Sequence, residues 1–342
     1  MVEGDGKNLA FIFSTPRAGS TLLGAMLGGH SQVLCPNEPW FLLPLASMHD
    51  QRMGAVAAFD LYLARIGFNE LTPAGEFHTA ARHFAAELYN QRLAAEGRSV
   101  FIDKTPRYYQ ILPFIQTLFP AAKKIWLKRD LFDTAASYRN TWNIGLDELF
   151  GPKTTNYSFD LTLGPANLHD FFDAHPGFEV RYEDLVEAPD EIAAQLCDYL
   201  EIPRERDLAL YARDQSWIGK LKSRVMGDKK IFSHTSPHKQ SVGAWERTFV
   251  TEEVKSIVDR IDERLLVRMG YGERVGQLRG RGFVFPGKKE ADQILDDYRK
   301  LIVSHHWPYW SQLPPPPRPP AVPPPWWRAF AMKCGLTQAP VE

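Results

Sequence analysis

A loop at residues 15–21 carries side chains suited to binding an anion. It reads Thr-Pro-Arg-Ala-Gly-Ser-Thr, and it follows a short apolar run and precedes apolar residues at helical spacing. A strand that turns directly into a helix leaves free N–H groups and the positive end of the helix dipole facing outward, where they favour an anion. The same sequence pattern would also be produced by an ordinary helix cap with a glycine in the turn, without any bound anion. The residues expected to hold the anion are Arg17, Ala18, Gly19, Ser20 and Thr21.

A second basic position follows another apolar run. Arg129 comes directly after residues 125–127, and Ser137 follows it by eight residues, in what reads as the next helix. An arginine at a strand end and a serine from the following helix could bind one phosphate from two sides. The alternative is that Arg129 forms an exposed ion pair with Asp130.

The loop at residues 15–21 departs from the pattern of the magnesium-dependent nucleotide enzymes. That pattern is Gly-x-x-x-x-Gly-Lys-Ser/Thr, whereas here the first glycine is absent and Ser20 stands where lysine would be needed. No strand candidate ends in a convincing Walker-B carboxylate, and no cluster has metal-ligand spacing. We therefore expect a site without a metal, and a P-loop-type small-molecule kinase is the disfavoured alternative.

The elements that must position these residues alternate between strand and helix. Four short apolar runs predict buried strands, at residues 9–13, 100–102, 125–127 and 178–180. Helical patterns cover residues 22–28, 77–96, 189–200 and, as one helix ended by Gly270, 252–269. This order predicts an α/β protein, a three-layer P-loop-like fold with a central, mostly parallel sheet between helices.

Composition sets limits on the function. The chain has 342 residues, 44 % of them hydrophobic, and 40 basic against 41 acidic side chains give a net charge of −1. A balanced charge argues against a nucleic-acid partner. Three distant cysteines do not form a disulfide framework. No apolar stretch reaches the ~20 residues needed to span a bilayer, and no secretory signal is recognisable, so a cytoplasmic protein is expected.

The carboxyl-terminal part differs from the rest. Residues 288–303 predict one more amphipathic helix, and Pro314–Pro325 holds nine of the 26 prolines, which favours an extended polyproline II segment. The expected division is a catalytic domain at residues 1–287 and, at 288–342, a helix with a proline- and tryptophan-rich extension. That extension could dock on the protein itself, on a second copy in a homo-oligomer, on a membrane face or on a polyproline-binding module, or could be a disordered linker.

The two basic segments together resemble the cofactor signatures of the sulfotransferases that use 3′-phosphoadenosine 5′-phosphosulfate (PAPS). The first is Pro-Arg/Lys-x-Gly-Ser/Thr-Thr, which in that family binds the 5′-phosphosulfate. The second is an arginine at a strand end with a serine eight residues later, which binds the 3′-phosphate. The resemblance spans about residues 9–271. It is closer to the tyrosylprotein and bacterial branches than to the cytosolic small-molecule branch, and it implies PAPS as donor, PAP as product and no required metal.

Three further segments agree with this family. Lys104 lies at a strand end where the family has a catalytic lysine, and Tyr182 lies in a motif whose tyrosine contacts adenine. Residues 239–245 resemble a late loop whose basic residues close on the 3′-phosphate, which assigns His238 and Lys239 to the cofactor. That loop departs from the cytosolic branch, which has Arg-Lys-Gly where this chain has His-Lys-Gln at 238–240.

The resemblance also indicates the general base. Cytosolic members use a histidine two residues after the lysine, but here that position is Pro106. Other branches use a glutamate after the first helix, which corresponds to Glu38, and the apolar residues 40–42 could shield its carboxylate from water. The expected catalytic residues are Glu38, Lys104 and Arg17. The lesser candidates for the base are His30, His234 and His238.

The acceptor is left open by the sequence. A glutamate base fits the hydroxyl of a sugar, a lipid, a peptide or a carrier-bound substrate equally well. Residues 40–68 and 142–159 could line the acceptor pocket or belong to the core. With no membrane anchor recognised, a bacterial or excised cytoplasmic enzyme is favoured over a Golgi type. A catalytically inactive nucleotide-binding scaffold is the alternative from another functional class.

Overall fold

A five-stranded parallel sheet forms the centre of the protein. The structure is a computed structural model that describes residues 1–49, 67–68, 70–72, 76–151, 155–211 and 234–304. The strands are β1 Leu9–Phe13, β2 Val33–Leu34, β3 Val100–Asp103, β4 Lys123–Lys128 and β5 Phe178–Arg181, in the order β2-β3-β1-β4-β5. All four pairings are parallel.

The strand order places a binding crevice at β1. From β1 the chain crosses to β2 and β3 on one side, and after β3 it crosses to β4 and β5 on the other. Helices that follow strands on the two sides of such a sheet leave a crevice at the carboxyl ends of the central strands, where ligands of open α/β proteins bind. The loops after β1, β3 and β4 all open into this crevice.

The sheet is covered on both faces. Alternate residues of β1 point in opposite directions, so that Phe11 and Phe13 join one buried cluster while Ala10 and Ile12 join the other. Each cluster combines residues of the strands with apolar residues of the helices that cover that face, which confirms the predicted three-layer α/β fold. Strands buried on both faces explain why the sequence shows continuous apolar runs rather than alternation.

Fifteen helices are found in the described part of the chain. Before β4 they are α1 Ser20–Gly28, α2 Leu42–His49, α3 Glu76–Glu96 and α4 Leu112–Leu118. Between β4 and β5 they are α5 Leu131–Trp142, α6 Leu146–Leu149, α7 Thr155–Leu161 and α8 Leu163–Ala174. After β5 they are α9 Tyr182–Glu187, α10 Pro189–Leu200, α11 Trp245–Thr248, α12 Thr251–Val258, α13 Glu263–Arg268, α14 Gly272–Gly280 and α15 Lys288–Ser304.

The sequence predictions of single elements were largely confirmed, with two differences. The four predicted strands match β1, β3, β4 and β5, but the two-residue β2 was not predicted. The single helix expected at 252–269 is two helices, α12 and α13. The break occurs because Asp262 is extended and caps α13, its side chain accepting a hydrogen bond from the N–H of Arg264 at 2.9 Å. The apolar period continues across this break, so periodicity alone could not reveal it.

Helix α15 packs on the preceding fold. Ala291 is buried, and the ring of Tyr298 lies edge-on to that of Phe159 at 5.8 Å between centroids. The proline- and tryptophan-rich extension predicted beyond this helix lies outside the described residues, as does most of the segment 40–68. Among the helices that the structure describes, none combines the length and the apolar character needed to cross a membrane.

Two buried aspartates fix the chain that follows β3. The Asp103 carboxylate accepts hydrogen bonds from Tyr89 at 2.7 Å and Tyr108 at 3.0 Å. The next residue, Tyr109, donates instead to Asp160. Because adjacent tyrosines bind different buried carboxylates, the loop that leaves β3 is held from two sides.

Burial raises the pKa of Asp103 from its ordinary value of 3.8 to about 7, although the tyrosine hydroxyls and Lys104 oppose the shift. Between these two values the folded protein retains a proton that the unfolded chain releases. The stabilising contribution is therefore complete at low pH and is lost as the pH rises towards 7. We expect Asp103→Asn to remove this part of the pH dependence, on the order of 4 kcal/mol in the free energy of unfolding between pH 4 and pH 7.5.

Urea unfolding of both proteins at a series of pH values measures the effect. Asp259→Asn is the matched control, because Asp259 is exposed and its carboxylate pairs with Lys255, four residues earlier. Parallel stability curves for the wild type and Asp103→Asn would show that Asp103 is ionised in the folded protein.

Candidate active site

A cavity of about 820 Å³ lies at the carboxyl ends of β1, β3 and β4. Its wall contains residues from the loops after all three strands and from the late loop before α11. The predicted site residues that line it are Arg17, Gly19, Ser20, Thr21, Glu38, Arg129, Ser137, Tyr182 and His238. The topology thus brings together side chains that are up to 221 positions apart in the sequence. The volume is within the range of ligand pockets.

The loop after β1 has a backbone shape that requires glycine at one position. Gly19 has a φ of +100°, and a Cβ built on it would lie 2.4 Å from Cδ2 of Tyr182. Its carbonyl accepts the first helical hydrogen bonds of α1, from Leu22 and Leu23. In the described structure the N–H groups of Ser20 and Thr21 have no acceptor, as expected at the open end of a helix. Ala18 is buried and closes a turn on Thr15, so it shapes the loop without lining the cavity.

Arg17 extends across the cavity to α5. Its Nε donates to the hydroxyl of Ser137 at 3.1 Å and its Nη2 to that of Thr141 at 2.9 Å. The guanidinium lies 5.1 Å from the ring centroid of Trp142. The serine expected beside Arg129 is therefore bound by the arginine of the first loop, so the two predicted phosphate signatures share this residue.

Arg129 joins three parts of the site. Its Nη1 donates to the carbonyl of Arg17 at 2.9 Å and its Nη2 to that of Ser241 at 2.8 Å. The residue is only 6 % exposed, and its Nε has no hydrogen-bond partner among the described residues. A buried arginine whose other contacts are carbonyl oxygens retains its positive charge for a ligand. It does not form the ion pair with Asp130 that the sequence left open, since Asp130 binds Arg274 instead.

Tyr182 supports this arginine and the glycine. The guanidinium of Arg129 lies 4.2 Å from its ring centroid, and the same ring blocks the space beside Gly19. Tyr182 lines the cavity but is 6 % exposed. It therefore spaces the loop after β1 from the loop after β4, a role that the sequence did not reveal.

Lys104 and Glu38 form an ion pair at the cavity wall. The Lys104 side chain is 2 % exposed, and its Nζ lies 3.2 Å from Oε1 of Glu38. The same ammonium lies 3.3 Å from Oδ1 of Asn37 and 3.5 Å from Oγ1 of Thr21. One cation therefore bridges the carboxylate and the phosphate loop, which places the two predicted catalytic groups beside the anion site.

The surroundings of Glu38 differ from those expected. Its Oε2 accepts a hydrogen bond from the indole N–H of Trp40 at 3.1 Å. Phe41 packs on Tyr89 at 5.4 Å between ring centroids, and Leu42 is buried in the core. Phe41 and Leu42 therefore face the core, while the Glu38 carboxylate is held by the ammonium of Lys104 and the indole N–H of Trp40.

Of the two cofactor residues predicted in the late loop, His238 lines the cavity and Lys239 does not. The ammonium of Lys239 binds the carboxylate of Glu187 and is 60 % exposed, and this lysine does not line the cavity. Arg247, two residues beyond Trp245, lines the cavity and donates to the carbonyl of Gln240. The family-like segment ends before this arginine, so the sequence pattern did not point to Arg247.

The three histidines considered as bases occupy two places. His30 is buried away from the cavity, where Nε2 lies 2.8 Å from the carbonyl oxygen of Pro203. His234 and His238 both line the cavity, with ring centroids 3.9 Å apart. Partial burial and the neighbouring His234 lower the pKa of His238, so its neutral form is favoured at neutral pH.

The cavity wall is strongly cationic. It contains four arginines, of which sequence reasoning found Arg17 and Arg129 and missed Arg107 and Arg247. Against them, Glu38 is the acidic residue of the lining, and it is paired with Lys104. Such a wall attracts a ligand with several negative charges. Arg107 could have been found from the sequence, because it lies three residues after the predicted catalytic residue Lys104. For Arg247 the sequence offered only its basic side chain.

Comparison with known proteins identifies the family to which this chain is similar. Residues 10–206 match the sequence profile described as the sulfotransferase family. The chain is 29 % identical over 312 residues to the nodulation protein NoeE of Sinorhizobium fredii, covering 86 % of this chain and 72 % of that protein. It is also 27 % identical over 212 residues to an uncharacterised protein of Aquifex aeolicus, covering 58 % of this chain but 26 % of that protein.

A solved structure shows the same fold. The sulfotransferase domain from the curacin biosynthetic pathway superposes with a TM-score of 0.54 at 22 % identity, covering 77 % of this chain and 97 % of that domain. The family match includes β1 to β5 together with the loops that carry Arg17, Lys104 and Arg129. This protein belongs to the sulfotransferase family, whose members carry out sulfuryl transfer.

Proposed function

We propose that this sulfotransferase takes its sulfuryl group from PAPS and transfers it to an acceptor hydroxyl, with Glu38 as the general base. The observation that carries the proposal is the cationic cavity at the switch point of the sheet, with Arg17, Arg129 and Arg247 on its wall. Ligands that carry a phosphosulfate and a separate phosphate would match these dispersed charges.

The residues present fit such a donor. The N–H groups of Ser20 and Thr21 lie at the start of α1, a helix of nine residues, and suit the 5′-phosphate. The buried Arg129, whose Nε has no partner among the described residues, suits the 3′-phosphate together with Arg247. Gly19 leaves room for the ring of Tyr182, which in turn packs against the guanidinium of Arg129.

The Lys104–Glu38 pair supports a division of roles at the reacting centre. PAPS supplies a sulfuryl group bonded through oxygen to its 5′-phosphate. Glu38 accepts the proton of the acceptor hydroxyl, and Lys104 neutralises the charge that develops on the phosphate oxygen when the sulfur–oxygen bond breaks. Lys104 is suited to this because its Nζ lies within 3.5 Å of both Glu38 and Thr21. Arg17, held by Ser137 and Thr141, supplies a second cation beside the transferred group.

The acceptor remains any substrate with an accessible hydroxyl, from a sugar, lipid, peptide or carrier. Trp40 and Trp142 line the cavity and offer ring surfaces to such a substrate. The kinase alternative would require a nucleoside triphosphate with magnesium at a loop that has serine in place of the P-loop lysine. The inactive-scaffold alternative would leave the buried Lys104–Glu38 pair without a use.

The donor proposal is tested by titrating the protein calorimetrically with 3′-phosphoadenosine 5′-phosphate (PAP), in the absence of magnesium. PAP should bind at least about tenfold more tightly than ATP, because a separate 3′-phosphate gains contacts with a buried arginine. ATP with and without magnesium is the control ligand. Binding of ATP only with magnesium, and none of PAP, would favour the kinase.

The base assignment is tested by Glu38→Gln, which keeps the size of the side chain but removes its ability to take a proton. We expect acceptor-dependent release of PAP from PAPS to fall by about 10²–10⁴-fold, with little change in PAP affinity. Glu201→Gln is the matched control, because the Glu201 carboxylate is 75 % exposed, pairs with Lys123 and is outside the cavity lining. Full activity of Glu38→Gln would assign the proton transfer to another group, with His238 the first to examine.

The late-loop assignment is tested by comparing Arg247→Ala with Lys239→Ala. Loss of Arg247 should weaken PAP binding by about ten- to a hundredfold, because a charged contact with phosphate is removed. Loss of Lys239 should leave the affinity within about twofold, since its ammonium is engaged by Glu187 away from the cavity. Calorimetry at constant ionic strength measures both, and the reverse order of effects would restore Lys239 to the site.

A further inference from the structure

Arg107 is fixed on the cavity wall in one orientation. Its Nε lies 3.3 Å from Oδ1 of Asp160 and its Nη2 lies 2.8 Å from Oδ2, a bidentate contact along one side of the guanidinium. The opposite nitrogen, Nη1, makes no hydrogen bond to any residue that the structure describes. Because the side chain is 20 % exposed and lines the cavity, this nitrogen is the part of Arg107 offered to a ligand.

Asp160 is fully engaged in holding this arginine. Its side chain has 0 % exposure, and each oxygen accepts one bond from Arg107 and one from a tyrosine. The tyrosines are Tyr109 on Oδ1 and Tyr138 on Oδ2, the latter at 2.6 Å. Four donors use the usual acceptor capacity of a carboxylate, so the guanidinium has no alternative position on Asp160. The ion pair also balances the charge of Arg107.

The loop that carries Arg107 is connected to the proposed base through Trp40. Two residues before it, the Thr105 hydroxyl accepts a hydrogen bond from the N–H of Trp40 at 3.2 Å, and the indole of Trp40 binds Glu38. Arg107, Trp40 and Glu38 all line the same cavity. The other tyrosine on Asp160, Tyr138, is adjacent to Ser137 and so connects this wall to the helix that binds Arg17. A rigid donor is thus built into the wall of the cavity that holds the proposed base.

We propose that Nη1 of Arg107 binds a second hydroxyl of the acceptor, next to the hydroxyl that is sulfated, and that Asp160 is the positioning residue for this contact. The inference rests on the proposed function and names its acceptor class as a vicinal diol. A neutral oxygen is favoured over a carboxylate because Asp160 already compensates the charge of Arg107. A fixed N–H donor also selects by geometry, since a substrate without the second hydroxyl leaves it unpaired.

Three matched probes test the proposal: cyclohexanol, trans-1,2-cyclohexanediol and trans-2-hydroxycyclohexanecarboxylate. Each is titrated into the PAP-loaded protein, and each is also offered as acceptor with PAPS. The diol should bind about tenfold more tightly than cyclohexanol, as expected for one additional hydrogen bond to a charged donor. The diol should also show the higher kcat/KM. Equal affinities, a preference for the carboxylate, or no binding of any probe would each overturn the proposal.

The decisive variant is Arg107→Lys, which keeps a cation for the buried Asp160 but lacks the second nitrogen. The diol-to-cyclohexanol ratio should fall from about ten to about one, and Asp160→Asn should lower the same ratio. A purely structural role of either residue would reduce the affinity for both probes together and leave the ratio unchanged. Arg92→Lys, an exposed arginine paired with Glu96 on α3, is the matched control.

The PAP titration separates this proposal from the proposed function. Wild-type protein that fails to bind PAP contradicts the donor assignment itself. Protein that binds PAP normally, but whose preference for the diol is absent or survives Arg107→Lys, contradicts the role of Arg107 alone.

Discussion

The ion pair between Lys104 and Glu38 is the interaction on which the rest of the site depends. It joins the loop after β3 to the loop after β2, and through Thr21 it reaches the phosphate loop. A buried cation of this kind is tolerated only when it is paired and hydrogen-bonded. The pair therefore fixes both loops at once, so the group proposed to take a proton and the group proposed to neutralise the leaving oxygen have a constant separation.

Charged side chains also fix the backbone of the first loop and of the late loop. Arg129 has no acidic partner among the described residues and binds the carbonyl oxygens of Arg17 and Ser241, so it connects the first loop to the late loop. Asp133, on α5, accepts the N–H groups of Gly243 and Trp245 at 2.8 and 3.0 Å. The late loop is therefore held by two side chains, the carboxylate of Asp133 and the guanidinium of Arg129. Parallel strands set where each loop begins, and these few polar contacts set where each loop goes.

The sequence predicted the parts of this protein that obey local rules. Four of the five strands and the phosphate loop could be located because buried parallel strands are continuously apolar and because Gly19 and Ser20 mark the start of a helix. The resemblance to sulfotransferases then directed attention to Glu38 and Arg129, which line one cavity, and to Lys104, which is buried behind the wall and paired with Glu38. The family itself was correctly recognised from two short segments about 110 residues apart.

What the sequence did not reveal depends on contacts between distant segments. Lys239 and Arg247 are both basic and lie eight residues apart, and only the position of Glu187 decides which of them turns away from the cavity. The role of Arg107 likewise depends on Asp160, 53 residues later, and on two tyrosines from separate elements. The break between α12 and α13 was hidden for another reason, because the apolar face continues through it. No local pattern contains these facts.

Glu38 and Trp40 share a strained backbone conformation, which bears on the evolution of the protein. Both have a left-handed backbone, with φ of 31° and 61°, and Glu38 also precedes a proline, which restricts its conformation further. Glycine or asparagine would occupy these positions at lower energy. Variants selected for thermal stability alone would therefore be expected to accumulate changes at residues 38 and 40. The backbone strain that persists at these two residues indicates that the segment was selected for the function of its side chains, at a cost in folding stability.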